Sequence, residues 1–100
     1  MNEYLLLMHR DATDLQLADD PARWEQYLDL LRGTGLFDGG SAIGRGEEHR
    51  KHASIQPARS RLDGFIRVRA DSLESARQFL TGNPVYEAGG TVEIRELPKG

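Results

Sequence analysis

Two helix-start signatures, Asp20-Pro21 and Ser72-Leu73-Glu74-Ser75, each flanked on both sides by strand-like segments, restrict this chain to very few architectures. At the first, the Asp20 carboxylate can accept from the free N–H groups of a first helical turn. Proline fits there because that turn asks no N–H of it. Trp24, Tyr27, Leu28 and Leu31 follow at spacings of three and four, which lays one apolar stripe along a helix that Gly33 and Gly35 stop. At the second, Ser72 caps a helix whose expected buried side is Leu73, Ala76, Phe79 and Leu80. Gly82 ends it before Asn83-Pro84.

Four strands surround these helices. Residues 3–9 form an apolar run ended by Arg10 and Asp11, as a central strand buried on both faces would, with Tyr4, Leu6 and Met8 on one side and Leu5, Leu7 and His9 on the other. Residues 36–44 read as a second strand interrupted by glycines, where a bulge or a close backbone approach is expected. Asp63-Gly64 signals a turn, after which Phe65, Ile66, Val68 and Ala70, with Arg67 and Arg69 between them, make a third strand. Residues 91–97 alternate cleanly as the last, stopped by Pro98. Two stretches read as connections: residues 10–20, with four aspartates, and residues 45–61, long for a loop, within which residues 53–56 suit a further short strand.

The resulting order, β-α-β-β-α-β, is an α+β arrangement in which two helices cover one face of a four-stranded antiparallel sheet. One hundred residues is the length of one domain, so residues 1–100 are expected to form a single unit. With 38% hydrophobic and 29% charged residues the core is modest, and the bare sheet face is expected to be hidden against an identical copy about a two-fold axis.

Composition removes several classes of function. Without cysteine there is no disulfide, thiolate metal site or cysteine nucleophile. No apolar run is long enough for a membrane span and the first residues carry Glu3 rather than a basic leader, so a cytoplasmic location is expected, without a membrane partner. A net charge of −3 opposes a general affinity for nucleic acid. Of the thirteen basic residues eleven are arginine, and Arg45, Arg50, Lys51, Arg59 and Arg61 crowd the middle of the chain. Their forks suit a small anionic ligand; the plainer reading is a solvated basic loop facing the acidic helices.

Few side chains stand out for chemistry. His9 ends the first strand where loops converge, as an acid, a base, an anion donor or a structural group. His49 and His52 have no accompanying carboxylate pattern and are flanked by cations, so no metal is expected. Asp19, Asp20, Glu47 and Glu48 read as solvated. Gly44-Arg45-Gly46 lacks the third glycine and the strand-to-helix setting of a dinucleotide site, and no cofactor is expected.

Four stretches carry a resemblance: Tyr4-Leu5-Leu6-Leu7-Met8-His9; Gly39-Gly40 after the first helix; Asp71-Ser72-Leu73-Glu74-Ser75-Ala76; and the run from Asn83-Pro84 through Tyr86-Glu87 and Gly89-Gly90 to Arg95. In these the chain resembles the YCII-related proteins and their kin with DGPF domains, bacterial proteins of the dimeric α/β-barrel superfamily. The resemblance implies a ferredoxin-like subunit, a homodimer and a pocket near the interface. Some members are lyase-like or dehydrochlorinase enzymes whose proposed site pairs a histidine in the first helix with an aspartate after the second. Here those positions hold Tyr27 and Asn83. A tyrosine with an ordinary pKa near 10 is a poor base at neutral pH, and asparagine brings no charge to assist it.

Three readings follow. One is a homodimer binding a small anionic or aromatic metabolite, with catalysis weak or absent and with His9, Tyr27, Ser41, Arg69, Asn83 and Tyr86 as candidate ligand-binding residues. The second is an enzyme moving protons on such a molecule through His9, or through a repositioned Tyr27 and Asn83. The third is a protein-interaction module, since DGPF-like domains are associated with sigma-factor systems.

Overall fold

The structure, a computed structural model, describes residues 1–99. Its elements are β1 (Asn2–His9), α1 (Leu15–Ala18), α2 (Pro21–Thr34), β2 (Phe37–Ala42), β3 (Glu47–Glu48), β4 (Gln56–Pro57), β5 (Leu62–Ala70), α3 (Leu73–Ala76), a 3₁₀ turn (Arg77–Leu80), α4 (Pro84–Glu87) and β6 (Val92–Leu97). The main sheet has the order β2-β5-β1-β6 with every neighbour antiparallel, and β3 and β4 form a separate two-stranded hairpin. This is the ferredoxin-like topology expected from the sequence.

Alternation decides which sheet face carries the core. Tyr4, Leu6 and Met8 of β1 and Ile66, Val68 and Ala70 of β5 are buried, and they pack with Tyr27 and Leu31 of α2 and with Ala76, Phe79, Val85 and Ala88. Leu6 lies opposite Ile66 on one side and Ile94 on the other, so the centre of the sheet is aliphatic in three adjacent strands. Leu5 and Leu7 point the other way and are only half-buried, because no helix covers that face. Within one chain β1 is therefore buried on a single face, and the molecule is a two-layer slab of 46 × 38 × 19 Å.

Both helix starts form as their residues dictate. Asp20 accepts from Ala22 N–H with Pro21 in the first turn, and α2 ends at Gly35, whose φ of 71° is costly for any residue with a β-carbon. Ser72 accepts from Ser75 N–H. The second helix departs from expectation. It tightens to 3₁₀ after Ala76, Leu73 is 48% exposed rather than buried, and Asn83-Pro84 opens a new helix instead of only ending one. The Asn83 side-chain oxygen accepts from both Val85 N–H and Tyr86 N–H, so this cap outweighs the stop signal. The aspartate-rich connection likewise holds one capped turn, α1, since Asp14 accepts from Leu17 N–H. Within residues 45–61 the strand is Gln56–Pro57, at the end of the expected stretch, paired with Glu47–Glu48.

A candidate ligand-binding cleft

Where β2 joins β5, both strands carry glycine, and the register shifts between Phe37 and Gly40 as the glycine pair suggests. A side chain at Gly40 would strike the Phe65 carbonyl oxygen, so the two backbones approach as only glycine permits. The missing side chains leave a hollow between this corner of the sheet and α2. The hollow is a cleft of about 630 Å³, within the range of small-molecule sites.

Its walls are apolar: Met8 and Ile66 from the sheet, Trp24 and Leu28 from α2, Phe37 from β2 and Val85 from α4. Trp24 and Leu28 lie on the apolar stripe of α2, yet they are half-buried where Tyr27 and Leu31 are buried. The stripe is wider than the sheet corner it faces, and its edge becomes wall rather than core. Trp24 is fixed by donating its indole N–H to the Ala18 carbonyl at 2.7 Å, and it meets Tyr27 edge to face at 5.8 Å.

One side of the cleft is charged. Arg10 donates through both terminal nitrogens to the two Asp19 oxygens, each at 2.8 Å, and through Nη1 to Asp63 at 3.0 Å. This fork joins the end of β1, the end of α1 and the start of β5. Its hydrogen bonds hold the Asp19 carboxyl below its ordinary 3.8 and push the Arg10 guanidinium above its already high value, so the Arg10–Asp19 pair is ionised at neutral pH. Arg32 adds a second guanidinium to the lining, paired with Asp29 at 2.9 Å.

The structure distributes the six candidate residues among different places. Ser41 lines the cleft. Tyr27 and Asn83 lie close together beneath the helices but outside that lining: Tyr27 is 3% exposed and Asn83 fully buried. The Tyr27 hydroxyl donates to the Phe79 carbonyl at 2.6 Å. Burial pushes its pKa up and the Asn83 side chain partly offsets this. The Asn83 Nδ2 has no hydrogen-bond partner of good geometry among the described residues. His9 is on the open sheet face, its Nε2 2.9 Å from Glu93, where it helps hold the Glu93 carboxyl below the usual 4.5. Arg69 ties β5 to the end of α2, bonding Asp38 at 2.9 Å and the Gly35 carbonyl at 2.6 Å. Tyr86 is 47% exposed on α4. Among the described residues no three His, Asp or Glu side chains gather to hold a metal ion, and no helix is long and apolar enough to cross a membrane.

Sequence reasoning missed Arg10, Asp19 and Asp63 as a unit. Asp19 is nine residues from Arg10 and Asp63 is 53 away, so no local spacing announces the fork.

No family model matches the chain, and no curated protein matches it in sequence. Among solved structures it is similar to the 5-chloro-2-hydroxyhydroquinone dehydrochlorinase of Burkholderia phenoliruptrix AC1100 in complex with 2,5-dihydroxybenzoquinone, with a TM-score of 0.63. The match spans 98% of this chain and 95% of that one at 19% identity. At that identity the likeness is one of fold.

Proposed function

We propose that this chain is a YCII-like homodimer that binds a small polar or aromatic metabolite in the cleft between α2 and the β2–β5 corner. The observation that carries the reading is the pairing of an apolar wall, with Trp24 and Phe37 in it, and a fixed cluster of hydrogen-bonding charges, Arg10, Asp19 and Asp63. Flat oxygenated rings suit such a site, since their faces can lie on the aromatic residues while their hydroxyl or carbonyl groups meet the charges. The fold likeness to a protein holding a dihydroxybenzoquinone supports the same ligand class. Proton transfer through Tyr27 and Asn83 is disfavoured: the Tyr27 hydroxyl is spent on the Phe79 carbonyl and the Asn83 oxygen on two backbone N–H groups.

The homodimer rests on the uncovered sheet face. Leu5, Leu7, Phe65 and Leu97 lie there half-buried, interleaved with the pairs Arg67–Glu3 and Arg95–Glu93, so that Leu5 stands between two arginines. Apolar side chains mixed with arginines are a composition found where surfaces associate.

Trp24 is the sole tryptophan, so the cleft carries its own fluorescent reporter. Titration with dihydroxybenzoates, hydroquinones and 2,5-dihydroxybenzoquinone, read by Trp24 emission and by thermal shift, is expected to give at least one saturable response in which both signals agree. Arg10→Ala should weaken that binding about tenfold, the value of one charged hydrogen bond. Linear, unsaturated quenching with no thermal shift across the whole panel would remove the proposal.

A further inference from the structure

Residues 45–61, which connect β2 to β5, leave the body as an arm. From His49 to Arg61 every residue is exposed, and the arm's own strand pairing is short, Glu47 with Pro57 and Glu48 with Gln56, extended by a bond from Ala58 N–H to the Gly46 carbonyl at 2.9 Å. So small a hairpin is marginal in water on its own. It carries five cations, Arg45, Arg50, Lys51, Arg59 and Arg61, against two carboxylates, a net +3 within a chain of net −3, so the remainder holds −6. The arm's ion pairs, Arg59–Glu48 and His49–Glu47, stay within it; among the described residues Arg45, Arg50, Lys51 and Arg61 make none. Ile55 stands 59% exposed among these charges.

A complementary surface lies elsewhere on the same chain. Residues 10–29 hold six carboxylates, at positions 11, 14, 19, 20, 25 and 29, against two arginines; Asp19, Asp20 and Asp29 pair with Arg10, Arg23 and Arg32, and Asp11, Asp14 and Glu25 make no ion pair among the described residues. Leu15 is 42% exposed on that stretch and Leu30, just beyond it, 64%. Cations around an exposed isoleucine on one surface match carboxylates around exposed leucines on the other, and no ion pair joins the two within the subunit among the described residues.

We infer that the 45–61 arm docks on the acidic 10–29 surface of a second copy of this chain. The inference rests on the homodimer reading above and adds to it an arm exchange. Two-fold symmetry makes each contact occur twice, so modest surface pairs add up, and their attraction is screened by salt.

Lys51 and Lys99 are the only lysines, which makes the contact addressable by a zero-length carbodiimide cross-linker joining amines to carboxylates. With ¹⁵N-labelled and unlabelled chains mixed, the expected product is a Lys51 link between chains to a carboxylate within residues 11–29. It should be absent in Lys51→Arg, which keeps the charge and loses the amine. Arg50→Glu combined with Lys51→Glu should raise the dimer Kd about tenfold at low salt by sedimentation equilibrium, and the difference should shrink at 0.5 M salt. A wild type that dimerises while Lys51 gives no inter-chain link, or links only within its own chain, overturns the arm exchange and leaves the homodimer standing. A wild type that is monomeric at low salt overturns both. A reversal variant that dimerises like the wild type, or a wild-type arm that takes up nucleic acid in place of a second chain, also overturns the exchange.

Discussion

The Trp24 indole N–H reaches back six residues to the Ala18 carbonyl at 2.7 Å, tying α2 to the end of α1 across the Asp19-Asp20 break. That bond turns the ring so that it forms part of the cleft wall, and it satisfies a carbonyl on a residue that is itself buried. Trp24→Phe keeps the apolar ring and leaves the carbonyl without its donor. Equilibrium urea unfolding should show a loss of about 1–2 kcal/mol. A loss below about 0.3 kcal/mol would mean that water replaces the indole at no cost.

Gly40 and Gly44 should respond unequally to the same substitution. A methyl at Gly40 meets the Phe65 carbonyl and the Ile66 Cα, both backbone, so relief requires β2 to move away from β5. Gly40→Ala is expected to cost about 3 kcal/mol and to distort the cleft. At Gly44 nothing lies within 4 Å and φ is not positive, so Gly44→Ala should be close to neutral. Thermal unfolding of the two variants side by side checks the contrast; equal melting temperatures would contradict the close approach.

Tyr27→Phe removes the buried bond to the Phe79 carbonyl. The expected loss is about 1–1.5 kcal/mol, or roughly 4–10 °C in melting temperature for a chain of this size. Because Tyr27 lies outside the cleft lining, the stabilisation conferred by a cleft ligand should be the same in the variant as in the wild type. A variant that loses the ligand shift while staying folded would place Tyr27 in the site.

Acid should weaken the Arg10 fork. The Asp19 carboxyl is held below its ordinary 3.8 by its hydrogen bonds to Arg10, so as pH falls through that region the unfolded chain takes up a proton before the folded one does. The stabilisation is therefore present above about pH 4 and is lost as pH falls through the lowered value. Urea midpoints measured from pH 5 to pH 2 should decline less steeply in Asp19→Asn than in the wild type. Parallel declines would show that the fork is equally formed in the unfolded chain.

The sequence by itself determined the order of the four sheet strands and two helix starts between them, and the division of side chains between the two sheet faces. Periods of 2 and 3.6 and the caps Asp20 and Ser72 depend on near neighbours, and alternation alone assigned Tyr4, Leu6 and Met8 to one side. Tertiary structure decided what neighbours cannot specify. The Arg10 fork needed Asp63 brought in from 53 residues away, and the cleft needed Trp24 and Leu28 to overhang a corner from which glycines had removed the side chains. The same distinction separates Ser41, which borders the cleft at the β2–β5 corner, from Tyr27, His9 and Arg69, whose nearest polar groups engage them elsewhere. A local pattern fixes the direction of a side chain relative to its own backbone, whereas which side chains meet depends on how distant segments pack.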